Sequence, residues 1–111
     1  MSNYYWNNKA ERAREARIHT LRMEDKYSED IKRCMEKSIV YSPTYTFDAA
    51  APKRTDMQIR LVSEDSVTAL RHQEGKTTVL NFASYKNPGG KFIEGSQAQE
   101  ESLCHSSFLF N

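Results

Sequence analysis

The chain has 111 residues, with 16 Lys and Arg against 15 Asp and Glu, a net charge of +1, 38% hydrophobic and 28% charged residues. That length holds one domain or part of one, and the near-neutral charge speaks against a general electrostatic grip on nucleic acid or acidic membrane. No apolar run approaches the roughly 20 residues of a membrane span. The start, Met1-Ser2-Asn3-Tyr4-Tyr5-Trp6, lacks the charged-then-apolar layout of a secretory signal, and Cys34 and Cys104 belong to no C-x-x-C pair. The expectation is a cytoplasmic chain in a reducing compartment, with neither a membrane nor nucleic acid as a direct partner.

From about Tyr5 to Lys37 the chain is rich in Lys, Arg, Glu and Ala and has no Gly or Pro, which is helix composition. Glu11 and Arg14 stand at a spacing that lets them pair on one face. Ala10, Ala13, Ala16, Leu21 and Met23 form a broken apolar stripe, so this helix is expected to lie on something larger. A second short helix is expected from near Ser28, using Ile31, Met35 and Ile39. The mixed charges could belong to a nucleic-acid arm, but their acidic share fits a solvated face better.

From Val40 to Arg54 periodicity fades, and Tyr41, Tyr45 and Phe47 are expected to pack on the helices or line a pocket. Met57 to Val62 alternates as a strand does, Ser63 with Glu64 and Asp65 opens a helix that Gly75 ends, and Thr77 to Ala83 is β-branched and apolar like a buried strand. Strand, helix, strand with short links predicts a βαβ unit with parallel strands, hence an α/β fold.

The chemistry is expected beyond Ala83. Asn87-Pro88-Gly89-Gly90 lies at the carboxyl end of the second expected strand, where ligands of open α/β sheets bind. Adjacent glycines let backbone N–H groups approach an anion such as a pyrophosphate, although such a run also makes an ordinary tight turn. Ser96-Gln97-Ala98-Gln99 has the form of a capping box that would start a helix at Gln97. Glu100 and Glu101 then fall in its first turn, where paired acids commonly serve only the helix dipole. Adjacent residues on a helix point about 100° apart, so the two carboxylates are expected to diverge and take different tasks: one fixing a sugar hydroxyl, the other protonating a leaving group. His105 beside Cys104 is the one candidate metal-ligand pair, and the same angle places it poorly, so no metal is expected and the two thiols are read as buried or half-buried.

The runs Val79-Leu80-Asn81-Phe82-Ala83-Ser84, Asn87-Pro88-Gly89-Gly90 and Gly95-Ser96-Gln97-Ala98-Gln99-Glu100-Glu101-Ser102-Leu103 together resemble the signature of microbial-type poly(ADP-ribose) glycohydrolases, a macrodomain family. The helical first third resembles the extension that precedes the macrodomain in that group, so the resemblance spans nearly the whole chain. It implies a hydrolase of the ribose–ribose O-glycosidic bond that uses no cofactor. By position, Glu101 would be the catalytic acid and Glu100 would bind a ribose hydroxyl. Asn87 would hold the terminal ribose, Gly89 and Gly90 would lie against the diphosphate of ADP-ribose, and Gln99 would join the substrate-binding set. Lys91 stands where the family has a third glycine, and its Cβ and ammonium either crowd the loop or bind phosphate.

The expected layout is a helical extension and connection over residues 1–54, then the first catalytic half of a macrodomain-like three-layer fold over residues 55–111. Two strands leave a parallel sheet short of neighbours, and the apolar end Phe108-Leu109-Phe110 has nothing after it to cover it. The expectation is therefore the N-terminal part of such an enzyme: a fragment, the product of a split or decayed gene, or a chain completed by a partner or by self-association. The competing readings are a non-catalytic module that binds ADP-ribose or a protein, and an inactive fragment.

Overall fold

The computed structural model describes residues 8–47 and 56–111. The start of the first expected helix and the Asp48-to-Lys53 stretch of the connection lie outside the described residues. Helix α1 runs Lys9–Lys37. Its N-cap is Asn8, whose side chain accepts from the N–H groups of Ala10 and Glu11 at 2.9 and 3.3 Å, satisfying donors that a helix start leaves without partners. The expected pair of Glu11 and Arg14 forms, at 3.1 Å and exposed, where its contribution to stability is small.

The expected second helix from Ser28 is a continuation of α1 beyond a kink at Tyr27, whose φ and ψ are −123° and 26°. No Gly or Pro lies there, and the Tyr27 ring sits 6.0 Å from that of Phe108, so the bend falls where α1 meets the end of the chain. Only Ala13 and Ala16 of the expected apolar stripe are buried. Small residues at a spacing of three let the helix backbone come close to what it covers.

What it covers is built around Phe92, 0% exposed. Between Asn87 and Ser96 the chain winds through successive turns, closed by Gly90 N–H to Asn87 C=O (2.8 Å), Phe92 N–H to Gly89 C=O (3.3 Å) and Gly95 N–H to Phe92 C=O (3.1 Å). This winding turns Phe92 inward against Ala16 and Cys104, with the rings of His105 and Phe110 at 4.6 and 5.3 Å and that of His19 at 6.2 Å. Gly95 (φ +86°) touches α1 directly: a Cβ there would run into the carbonyl of Lys9, and Arg12 Nε donates to its carbonyl at 2.7 Å. At the other end, Asn111 donates to the Thr20 carbonyl at 2.9 Å, and His19 Nε2 lies 2.7 Å from the carbonyl oxygen of Ser107. Phe108 and Phe110, expected to be bare, are thus half-buried on α1 and Phe92, while Leu109 stays exposed.

Two short helices complete the described elements. Helix α2, Ser66–Arg71, starts later than expected because Asp65 is its N-cap; Thr68 N–H donates to Asp65 at 2.7 Å. Bonds from the backbone and side chain of Thr68 hold the Asp65 carboxyl below its ordinary range. The helix is already over well before Gly75. Helix α3, Gln99–His105, has Ala98 at its N-cap with no side-chain bond. The expected capping box at Ser96 does not form, since the Ser96 N–H is tied to the Lys91 carbonyl at 3.1 Å and belongs to the turns.

The expected α/β fold is overturned: among the described residues there is no strand, and so no βαβ unit and no macrodomain-like sheet. Residues 57–62 and 77–83 carry no ladder, and their apolar side chains face outward, with Ile59 88% and Phe82 69% exposed. The reason lies in where each element finds its hydrogen bonds. A helix satisfies its backbone internally, whereas an alternating or β-branched run only suits a strand and needs a neighbour to make one. The Tyr41, Tyr45 and Phe47 rings pack on each other, 4.7 to 5.7 Å apart, and remain exposed. No helix among the described residues is long and apolar enough to cross a membrane.

Candidate active site

Of the six residues singled out in the sequence, Glu100 and Glu101 meet the Gly89-Gly90 turn at the start of α3, Asn87 stands at the mouth of that turn, and Gln99 turns away from it. Asn87-Pro88-Gly89-Gly90 forms a turn whose Pro-Gly centre suits a positive φ at its third residue, and Gly89 and Gly90 have φ of +76° and +62°. Ser84 prepares this turn: its hydroxyl accepts from the N–H groups of Lys86 and Asn87 at 3.3 and 3.2 Å. Asn87 itself is exposed at the mouth of the turn.

Glu100 and Glu101 fold back onto the turn and are only 5% and 7% exposed. Glu100 Oε2 accepts from Ser84 N–H at 2.7 Å and its Oε1 from Gly89 N–H at 3.0 Å, so both of its oxygens are held. Glu101 Oε1 accepts from Lys91 N–H at 3.1 Å. Backbone N–H groups thus satisfy the buried carboxyl oxygens as hydrogen-bond acceptors. The expected divergence of the two side chains does not occur. A Cβ built on Gly90 would stand 2.5 Å from Glu101 Oε1 and 3.1 Å from Glu100 Oε2, so both reach the same point. Long side chains and a tightly curved loop override the 100° between adjacent helix positions.

Both glycines are therefore required by the protein's own packing: Gly90 makes room for the carboxylates, and Gly89 for the Phe110 ring, 2.5 Å from where its Cβ would be. The N–H groups from Gly89 to Phe92 all have partners within the chain. Lys91, in the third-glycine place, has an ordinary negative φ and an exposed side chain whose Nζ lies 4.0 Å from Glu94. Lys86 is likewise exposed, with Nζ 5.4 Å from the centre of the Tyr85 ring.

Gln99 faces the other way. Its Oε1 accepts from Phe82 N–H at 2.8 Å, and its Nε2 donates to the Leu80 carbonyl at 2.8 Å and to Ser66 Oγ at 3.2 Å. The buried Cys104 thiol lies behind the carboxylates; burial, then the charges of Glu100 and Glu101, push its pKa up to about 11. Cys34, expected to be at least half-buried, is exposed. Burial, and after it electrostatic repulsion from His19 and Arg12, lower the pKa of His105.

Sequence reasoning assigned no role to Ser84, to Phe110 beneath Gly89, or to the Lys91 N–H. Ser84 carried a signal, a hydroxyl residue three positions before Asn87 at a turn. The other two depend on how the chain winds and had none.

A family model described as "Microbial-type PARG, catalytic domain" matches residues 8–111, which includes α1, the glycine turn and the Gln99-Glu100-Glu101 segment. No curated protein and no solved structure matches the chain. The match extends over nearly all of the sequence, and on that ground the chain belongs to the microbial-type PARG catalytic-domain family.

Proposed function

We propose that this chain is a hydrolase of the ribose–ribose O-glycosidic bond in ADP-ribose polymers. The observation that carries the reading is the convergence of two buried carboxylates on one glycine turn, in a chain whose family is named for that activity. Glu100, with both oxygens already on backbone N–H groups, is fixed in place and offers its remaining lone pairs to a ribose hydroxyl. Glu101 is held through one oxygen only, which leaves the other for the bond to be cleaved.

In this mechanism Glu101 gives its proton to the departing ribose oxygen as the glycosidic bond breaks. The oxocarbenium-like sugar that remains is trapped by water, and the carboxylate recovers a proton from that water. Asn87 holds the terminal ribose. The turn of Gly89 and Gly90 lies where the diphosphate is to be held, and the exposed ammonium groups of Lys86 and Lys91 beside it supply countercharge. No cofactor takes part. The chemistry belongs to residues 55–111, while α1 in the first part of the chain buttresses the turns through Ala16 against Phe92 and Arg12 on the Gly95 carbonyl. A cytoplasmic setting suits the exposed free thiol of Cys34.

A second reading has one observation in its favour. Carboxylates hydrogen-bonded to turn N–H groups could simply staple α3 to the loop, giving a module that binds ADP-ribose without cleaving it. Incubating the purified chain with poly(ADP-ribose) and following release of ADP-ribose, with calorimetric titration of ADP-ribose alongside, separates the two. The hydrolase reading predicts both release and binding. Binding without release supports the module, and neither sinks both.

A further inference from the structure

The side-chain amide of Gln99 pairs with the chain as a neighbouring strand would. It accepts from the N–H of Phe82 and donates to the C=O of Leu80, the two groups on either side of Asn81 that a residue in a parallel partner strand would use. The next residue continues the pattern, because Glu100 accepts from the N–H of Ser84. Positions 80, 82 and 84 of an extended segment are thus held, at the two-residue period of a strand, by the first side chains of α3. The second N–H of the Gln99 amide goes to Ser66 Oγ at the start of α2. Both donors of the amide and its oxygen are in use, so Gln99 has no hydrogen left for a substrate.

We propose that Gln99 is a positioning residue for Glu100 and Glu101, and not a contact for the substrate. Its bonds fix the distance between the 80–84 segment and α3, and that distance sets where the Glu100 carboxylate meets Ser84 and Gly89. Glu101, next along the same helical turn, is placed against Lys91 in the same step. The inference rests on the hydrolase reading for what the carboxylates do, but the geometry it describes is independent of that reading.

The test is amide hydrogen exchange, followed by NMR, on the full chain carrying Gln99→Leu, together with steady-state cleavage of poly(ADP-ribose). Positioning predicts that exchange quickens by about tenfold, the loss of roughly one hydrogen bond, at Phe82 and also at Ser84, Gly89 and Lys91. It predicts that kcat falls by about tenfold or more while KM stays within about twofold. A response confined to Phe82, or a rise in KM with kcat kept, overturns it. Should the unsubstituted chain cleave nothing, the hydrolase reading fails, and the exchange pattern still decides the role of Gln99. If Gln99→Leu does not fold, Ser66→Ala removes one acceptor of the same amide. A smaller quickening at the same four amides then supports the proposal, and unchanged exchange there overturns it.

Discussion

Glu101 and Gly90 are fitted to each other: Oε1 of Glu101 lies 2.5 Å from where a Cβ of Gly90 would stand. The relationship is reciprocal, since the turn must bare its backbone for the carboxylate to reach the Lys91 N–H, and the carboxylate leaves no room for a side chain on the turn. Gly90 also has φ of +62°, which a residue with a Cβ adopts only at a cost.

Gly90→Ala combines that backbone strain with displacement of the Glu101 and Glu100 oxygens. A loss of about 2–4 kcal/mol of stability is expected in urea unfolding. Gly75→Ala is the matched comparison: φ is +78° there but nothing lies within 4 Å, so only the strain remains, about 1 kcal/mol. Equal losses at the two positions would show that the carboxylates do not occupy the space beside Gly90.

Phe92→Ala removes the side chain on which α1, α3 and the end of the chain meet. Such truncations cost about 3–5 kcal/mol, a large share of the stability of a small domain. Loss of the thermal transition, or a fall of more than about 10 °C in its midpoint, is expected by circular dichroism. An unchanged midpoint would mean that α1 does not rest on Phe92.

The pKa of His105 is lowered in the folded chain. The unfolded chain therefore takes up a proton at a higher pH than the folded one, and stability falls as pH drops from the ordinary histidine value of 6.5 towards the lowered one. Above that range the contribution is fully present. The denaturation midpoint should decline between about pH 7.5 and 5.5, and His105→Phe should flatten that decline. A variant with the same slope would remove His105 as its cause.

Cys104, buried and with its pKa pushed up to about 11, is expected to resist alkylation in the folded chain at pH 8, whereas exposed Cys34 reacts. Mass spectrometry after brief iodoacetamide treatment should find one modified thiol, and two only after denaturation. Rapid modification of both in the folded chain would contradict the packing behind Glu100 and Glu101.

How much of this was legible in the sequence depended on whether the cause was local. Helix α1 was legible because its composition and its lack of Gly and Pro act within a turn or two, and its kink fell one residue before the expected start at Ser28. The Asn87-to-Gly90 turn was legible because Pro and Gly fix the backbone where they stand. The segment 77–83 was misread because its β-branched residues carry a preference and not a partner. In the structure its hydrogen bonds come from Gln99, 17 and 19 residues from Phe82 and Leu80. The convergence of Glu100 and Glu101 was hidden for a similar reason: ideal helix angles say where Cβ atoms point, and the loop decides where the carboxylates end.

The proposed chemistry stands or falls on Glu101. Its most direct test is the rate of ADP-ribose release from poly(ADP-ribose) by Glu101→Gln against the unsubstituted chain, with ADP-ribose affinity measured on both. The substitution keeps the shape of the side chain and removes the acid. A fall in kcat of about 10²-fold or more, with affinity held within a few-fold, is the predicted result. A variant that cleaves as fast as the unsubstituted chain would contradict the assignment of Glu101 as the acid.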